Sequence, residues 1–374
     1  MTLKNHCYLK RLEEPHIYDA AADELYLLDD ESLERILALS EGADDPEAAG
    51  LLAEAGLLQE MPRKVPVQVP GRSADPSLRY LEVQITGRCD KACRHCYLGP
   101  PRPVDMSVGT FRSVLDQFAV MQGLKVMVSG GEAAVHPEFE ALADLLPEAP
   151  FRAVLITHGE WIGPVEACRL GERFHQVQVS LDGMGEGHDA LRGAGSFDRA
   201  VAGIMALREA GVPVAVGTMV HDGNLEQFEA MSRLLERFNV EEWSIDVPCP
   251  AGRWHDHPAA GAALRTASEK LRFAYGGGFH GGSAGLACGS ALMTVAPDGT
   301  AAKCGFYFDH PAGNVLVDGL AEVWSKVEHI PLGTLACDCE LKDVCAGGCR
   351  YRAEVLGGSK LAPDAVQCYF RGVK

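Results

Sequence analysis

The stretch Thr86-Gly-Arg-Cys-Asp-Lys-Ala-Cys-Arg-His-Cys-Tyr97 puts three cysteines, Cys89, Cys93 and Cys96, on one short loop. Thiolates gathered this closely suit a soft metal or an iron–sulfur cluster, because cysteine sulfur is a preferred ligand of both. The count is informative. A closed structural zinc site or a plain electron carrier takes four ligands, whereas a cubane on three thiolates leaves one iron free to bind something else.

A second concentration lies near the carboxyl end, where Cys288, Cys304, Cys337, Cys339, Cys345, Cys349 and Cys368 make up seven of the thirteen cysteines. The polar start Met1-Thr-Leu-Lys-Asn-His has no signal-peptide pattern, and no apolar run approaches about 18 residues. The chain is therefore expected in the cytoplasm and away from membranes. In that compartment thiols stay reduced, so so many cysteines point to metal ligation rather than disulfides. A zinc ribbon is the simpler use of such thiolates, but seven divide poorly into tetrahedral sets. Cys7 and Cys168 belong to no motif and are expected to be structural.

The net charge of −18 disfavours nucleic acid, whose phosphates would be repelled, and leaves a neutral or basic peptide as a possible partner. At 374 residues the chain has room for one large domain and smaller ones.

The elements that position the cysteines come from an alternation of apolar runs and amphipathic segments beginning at Arg79. It predicts strands over 80–86, 125–129, 152–157, 176–181, 213–220 and 242–247, and helices over 107–121, 137–146, 163–173, 197–210 and 225–238. Strands each followed by a helix imply a parallel sheet with right-handed crossovers and chemistry at the strands' carboxyl ends. Before it, short strands in the first 28 residues are followed by predicted helices over 31–39, with Asp30 as N-cap, and 46–59. A proline-rich linker then runs from Met61 to Pro76.

Cys-x3-Cys-x2-Cys followed by an aromatic, here Tyr97, resembles the signature of the radical S-adenosylmethionine (SAM) enzymes. The resemblance extends to other strand ends and covers roughly residues 79–250 and 284–370. Ser129-Gly-Gly-Glu132 is similar to the family's Gly-Gly-Glu turn, with Ala133 where a proline is usual. By this resemblance Gly130, Gly131 and Glu132 would take the SAM amino group, and Ser180 and Arg192 its ribose and carboxylate regions. Thr218 or its backbone would sit on the adenine side. Thr157-His-Gly159 would line the adenosine end, with His158 structural, and Asp182 would shape its turn.

The order Cys…Gly-x4-Cys…Cys-x5-Cys-x3-Cys…Cys resembles the SPASM extension of radical SAM maturases, although only Asp338 separates Cys337 from Cys339 where two residues are usual. Carried over, Cys337, Cys339, Cys345 and Cys368 would ligate a distal auxiliary cluster and Cys288, Cys304 and Cys349 a proximal one. The residues after Cys288 offer no further thiol, so an open iron, a non-cysteine ligand or Cys249 would complete the second set. Cys249, in Asp246-Val-Pro-Cys-Pro-Ala-Gly-Arg253-Trp254, is alternatively a hydrogen-atom donor or a buried small residue.

The implied fold class is α/β: a partial (β/α)6 barrel (79–274), a small N-terminal α+β domain (1–62), a linker (63–78) and a cysteine-rich auxiliary-cluster domain (275–374). The N-terminal segment resembles winged-helix-like modules that capture a leader peptide on a sheet edge. The implied cofactors are SAM, a [4Fe–4S] cluster and two auxiliary iron–sulfur clusters, probed by the competing readings as follows. The leading expectation is a 5′-deoxyadenosyl radical that abstracts hydrogen from a ribosomally made precursor peptide, leading to a crosslink, epimerisation or oxidation. Electrons would come from a flavodoxin or ferredoxin. Tetrapyrrole oxidative decarboxylation is the alternative activity, and a non-catalytic iron–sulfur electron carrier the alternative of another class.

Overall fold

The computed structural model describes residues 2–60, 70–255, 267–276, 280 and 285–373. Its centre is a sheet in which Tyr80–Thr86, Lys125–Gly130, Arg152–Thr157, Gln176–Ser180, Val214–Met219 and Glu242–Asp246 lie side by side in chain order, all parallel. Helices Val108–Val120, Phe139–Ala143, Pro164–Gly171, Ser196–Glu209 and Phe228–Arg237 connect them. This is the expected partial (β/α)6 barrel. The strands agree with the sequence reading to within a residue, while the helices at 137–146 and 225–238 are shorter at both ends.

Strand parity explains what the barrel does with its inner face. Leu81, Val83 and Ile85 are fully buried in the core, whereas Glu82, Gln84 and Thr86 alternate with them and face a cavity. Behind the sheet, Phe111, Phe118, Leu155, Val177, Ile204 and Trp243 belong to one continuous core.

The sheet does not stop at the barrel. Leu292–Val295 pairs in parallel with Tyr80–Thr86, and Thr300–Ala302 and Gly313–Asn314 add antiparallel strands beyond it. Met293, Val295, Val323, Trp324 and Val366 share the barrel's core cluster. The cysteine-rich segment is thus fixed rigidly to the first barrel strand by backbone pairing.

At the other end of the chain, Cys7–Arg11, Pro15–Asp19 and Glu24–Leu27 form an antiparallel sheet against helices Asp30–Ser40 and Pro46–Glu54. Two expectations are corrected here. The N-cap of the first helix is Asp29, whose carboxylate accepts from Ser32 N at 2.7 Å, so Asp30 opens the helix itself. The second helix stops at Glu54 because Gly56 turns left-handed (φ +70°) and Leu57 N donates back to Leu52 O. Leu58–Gln59 then pairs with Thr2–Leu3. Buried Lys10 pins this unit to the barrel by donating to Gly123 O and Pro150 O, each at 2.7 Å. Part of the expected linker, 61–69, lies outside the described residues.

Candidate active site

The loop bearing Cys89, Cys93 and Cys96 leaves the carboxyl end of the first barrel strand and is held by backbone contacts from its neighbours. Gly131 N donates to Thr86 O and Glu132 N to Arg88 O, each at 2.9 Å, and Arg253 N donates to Cys96 O at 3.0 Å. Arg253 also donates through its side chain to Cys93 O. Glycine is required at two of these approaches. A Cβ on Gly131 would stand 2.2 Å from Arg88 O, and one on Gly252 (φ +52°) 2.4 Å from Cys96 O. The turns after the second and sixth strands therefore carry glycine at the points where the cysteine loop itself packs on them. Gly131→Ala is expected to push that loop outward and lower the iron bound there, measured as iron per chain after anaerobic reconstitution.

The three thiols open on a cavity of about 460 Å³, the size of a small-molecule site. Gly130, Gly131, Ser180, Arg192 and Cys249 are on its wall, as are Glu82, Gln84, Gln178, Gly217 and Met219. Two expected SAM contacts are not. Thr218 is buried on the opposite side of its strand, donating to Leu181 O and accepting from Trp243 Nε1, because its neighbours Gly217 and Met219 take the cavity face. Glu132 lies behind the wall. Its carboxylate accepts from the Thr157 hydroxyl at 2.8 Å, His158 N at 2.9 Å and Ala134 N at 3.3 Å, joining the second strand end to the third. His158 completes that joint by contacting Asp90 at 3.0 Å.

Arg192 reaches the cavity from the helix Glu186–Arg192, and its Nε donates to the fully buried Asp182 at 2.5 Å. Burial pushes the Asp182 carboxyl up, but the Arg192 guanidinium, helped by His95, His188 and the Met219 N–H, outweighs it and holds its pKa down at about 2. The pair is held by Met219 N, which donates to the other Asp182 oxygen at 2.7 Å. The guanidinium remains beside Cys93 on the cavity wall, a fixed positive charge that an anionic group in the cavity could meet.

Glu82 is a wall residue that motif reading missed. It accepts from the Ser129 hydroxyl at 2.7 Å, the Thr294 hydroxyl at 3.0 Å and the Tyr97 hydroxyl at 3.3 Å, tying the barrel, the cysteine loop and the C-terminal segment together. Its signal in the sequence was polar alternation within an otherwise apolar strand, Glu82-Val-Gln84-Ile-Thr86.

The C-terminal thiols fall into two groups. Cys337, Cys339, Cys345 and Cys368 line one small pocket. Cys288, Cys304 and Cys349 lie within electrostatic reach of one another, and Cys304 borders the large cavity. Cys7 is buried in the N-terminal unit, as expected of a structural residue. Cys168, however, is exposed on the outer helix Pro164–Gly171, where it fills no core.

The donor set fits iron–sulfur clusters. Burial pushes the Cys89 thiol up to about 11 and the Cys304 thiol up to about 12, so their ligating form calls for a cation beside them. His95 Nδ1, on the loop between Cys93 and Cys96, is buried with no hydrogen-bond partner among the described residues.

A fold with thiols and a fixed arginine at the strand ends of a partial barrel defines a SAM-dependent radical enzyme. The model of the Radical SAM superfamily matches residues 83–235. The mycofactocin maturase MftC of Mycobacterium tuberculosis is 32% identical over 300 residues, spanning 71% of this chain and 76% of that protein. The AdoMet-dependent heme synthase of Nitratidesulfovibrio vulgaris is 25% identical over 348 residues, spanning 79% of this chain and 93% of that protein. Among solved structures, Streptococcus suis SuiB bound to precursor peptide SuiA superposes with a TM-score of 0.73 at 14% identity, covering 98% of this chain and 99% of that one. The chain belongs to the radical SAM superfamily, in its SPASM-type branch. It is an enzyme whose cofactors are SAM, a [4Fe–4S] cluster and auxiliary iron–sulfur clusters. Among the described residues no helix is long and apolar enough to cross a membrane.

Proposed function

We propose that this enzyme modifies a residue of a ribosomally made precursor peptide. The observation that carries the reading is the 32% identity to a mycofactocin maturase over most of the chain. The likeness to peptide-bound SuiB, which includes the N-terminal unit, supports it. In that unit the strand Glu24–Leu27 pairs on one side only among the described residues, leaving an edge along which a leader peptide adds as a further strand. The acidic chain, at −18, suits a neutral or basic peptide.

When bound, SAM and its cluster would supply radical hydrogen-abstraction chemistry. Cys89, Cys93 and Cys96 hold the cluster. Gly130 and Gly131 present backbone to the SAM amino group, Ser180 faces its ribose, and Arg192 orients its carboxylate with the fork fixed by Asp182. Cys337, Cys339, Cys345 and Cys368 hold the distal auxiliary cluster, and Cys288, Cys304 and Cys349 belong to the proximal one. A flavodoxin or ferredoxin supplies electrons, and the reaction takes place in the cytoplasm.

The likeness to the AdoMet-dependent heme synthase, which spans 93% of that protein, supports tetrapyrrole side-chain chemistry as a second reading. One experiment separates them. The reconstituted enzyme is given SAM, reductant and either a library of short ribosomally made peptides or iron-coproporphyrin III, and the products are weighed by mass spectrometry. A mass change in a peptide is the expected result; change in the porphyrin alone would overturn the peptide reading.

A further inference from the structure

The proximal thiol set has three members from the C-terminal segment, and the residues following Cys288 provide no fourth. All thirteen cysteines are described, and only one remains near this set. Cys7 is in the N-terminal core and Cys168 on the outer surface; the SAM-cluster loop and the distal pocket account for seven others. Cys249 stands apart in sequence, on the turn that follows the sixth barrel strand, yet its thiol is within hydrogen-bonding reach of the Cys349 thiol.

Two contacts on either side of these cysteines hold them together. Arg352 donates to Asp246 at 2.5 Å while its other nitrogens engage Asp364, and the Tyr351 hydroxyl donates to Pro250 O at 3.3 Å. Asp246 and Pro250 flank Cys249; Tyr351 and Arg352 follow Cys349 in the helix Arg350–Gly357, of which Cys349 is the N-cap. Asp364 also accepts from Cys349 N at 2.8 Å. The Arg352 guanidinium is almost fully buried against Asp364, and from that anchored position it reaches the half-exposed Asp246 carboxylate and joins the turn to the helix start. On the same side, the Tyr351 ring stacks on Phe306 at 4.9 Å, and Phe306 packs against Tyr97 of the SAM-cluster loop at 5.0 Å. Tyr351 lies within electrostatic reach of Cys249, Cys304 and Cys349 together.

We infer that Cys249, contributed by the barrel, is the fourth ligand of the proximal auxiliary cluster alongside Cys288, Cys304 and Cys349. Each thiol gives its proton to solvent as it ligates, and no electron is transferred in that step. The assignment rests on the reading that the C-terminal thiols hold iron–sulfur clusters. It has two consequences: Cys249 has no S–H bond to offer as a hydrogen-atom donor, and the cluster at the cavity edge has no iron left open for substrate.

The test uses the full chain with Cys89, Cys93 and Cys96 replaced by alanine, so that only auxiliary clusters remain, and compares it with the same protein carrying Cys249→Ala or Cys249→Ser. After anaerobic reconstitution the parent is expected to bind about eight irons with matching sulfide. It should give no [3Fe–4S] electron paramagnetic resonance signal after mild ferricyanide oxidation. The Cys249→Ala protein should lose about one iron per chain, released as Fe²⁺ on that oxidation, and show the [3Fe–4S] signal. Cys249→Ser, which keeps an oxygen ligand, should retain iron but change the spectrum of the reduced cluster. Full iron and unchanged spectra in both variants would overturn the ligand assignment alone. A parent holding zinc and no labile sulfide would overturn both the assignment and the cluster reading beneath it.

Discussion

Replacing Cys89, Cys93 and Cys96 together with alanine is expected to reduce 5′-deoxyadenosine formation to that of an enzyme-free control, while the iron held by the C-terminal cysteines stays bound. The first half follows from the ligand count: with no thiols at the end of the first strand, the loop has lost the three ligands a cubane needs, and the single imidazole of His95 does not replace them. The second follows from how the loop is held. Its backbone contacts to Gly131, Glu132 and Arg253 involve no sulfur, so the variant keeps the loop and the barrel around it. Liquid chromatography–mass spectrometry of the reaction and iron analysis of the protein read the two halves separately. Loss of all iron would show instead that the clusters depend on one another for assembly.

Arg192→Met is expected to abolish measurable SAM binding and to destabilise the fold by about 3–5 kcal/mol, because it strands a charged carboxylate in the interior. Asp182 has no exposure of its own, and the arginine is the largest of the groups that hold its pKa down at about 2. The double variant Arg192→Met/Asp182→Asn removes that stranded charge. It should recover most of the stability in denaturant melts yet bind SAM no better than the single variant by calorimetry. A double variant that regains SAM affinity would show that the arginine only balances the aspartate. The sign of the pH dependence follows from the depressed pKa. The pair's contribution is complete above the ordinary carboxyl value of 3.8 and fades as pH falls through about 2, so stability near neutrality should not vary with this pair.

The cysteine loop was readable because its ligands are local: three thiols within eight residues need no fold to bring them together. The six barrel strands were readable because burial on both faces or on one writes itself as apolar runs. The Thr218 side chain faces away for a reason of parity. On a strand a shift of one residue reverses the face, and the motif placed the contact near residue 218 without saying which side faced in. Its neighbours Gly217 and Met219 took the cavity. Glu132 failed differently, since a carboxylate after two glycines suggests a ligand contact, whereas three donors from the adjacent turns already occupy its oxygens. The proximity of Cys249 to Cys349 spans a hundred residues, and it depends on Asp246 and Arg352 meeting across two segments that no spacing rule connects.

Radical formation from SAM by this chain is tested by incubating the reconstituted, unsubstituted protein with SAM and a strong reductant without oxygen. The expected result is methionine and 5′-deoxyadenosine in equal amounts, from protein containing close to three cubanes' worth of iron and sulfide. Protein that binds zinc without labile sulfide, or that holds its iron and leaves SAM intact, would contradict it.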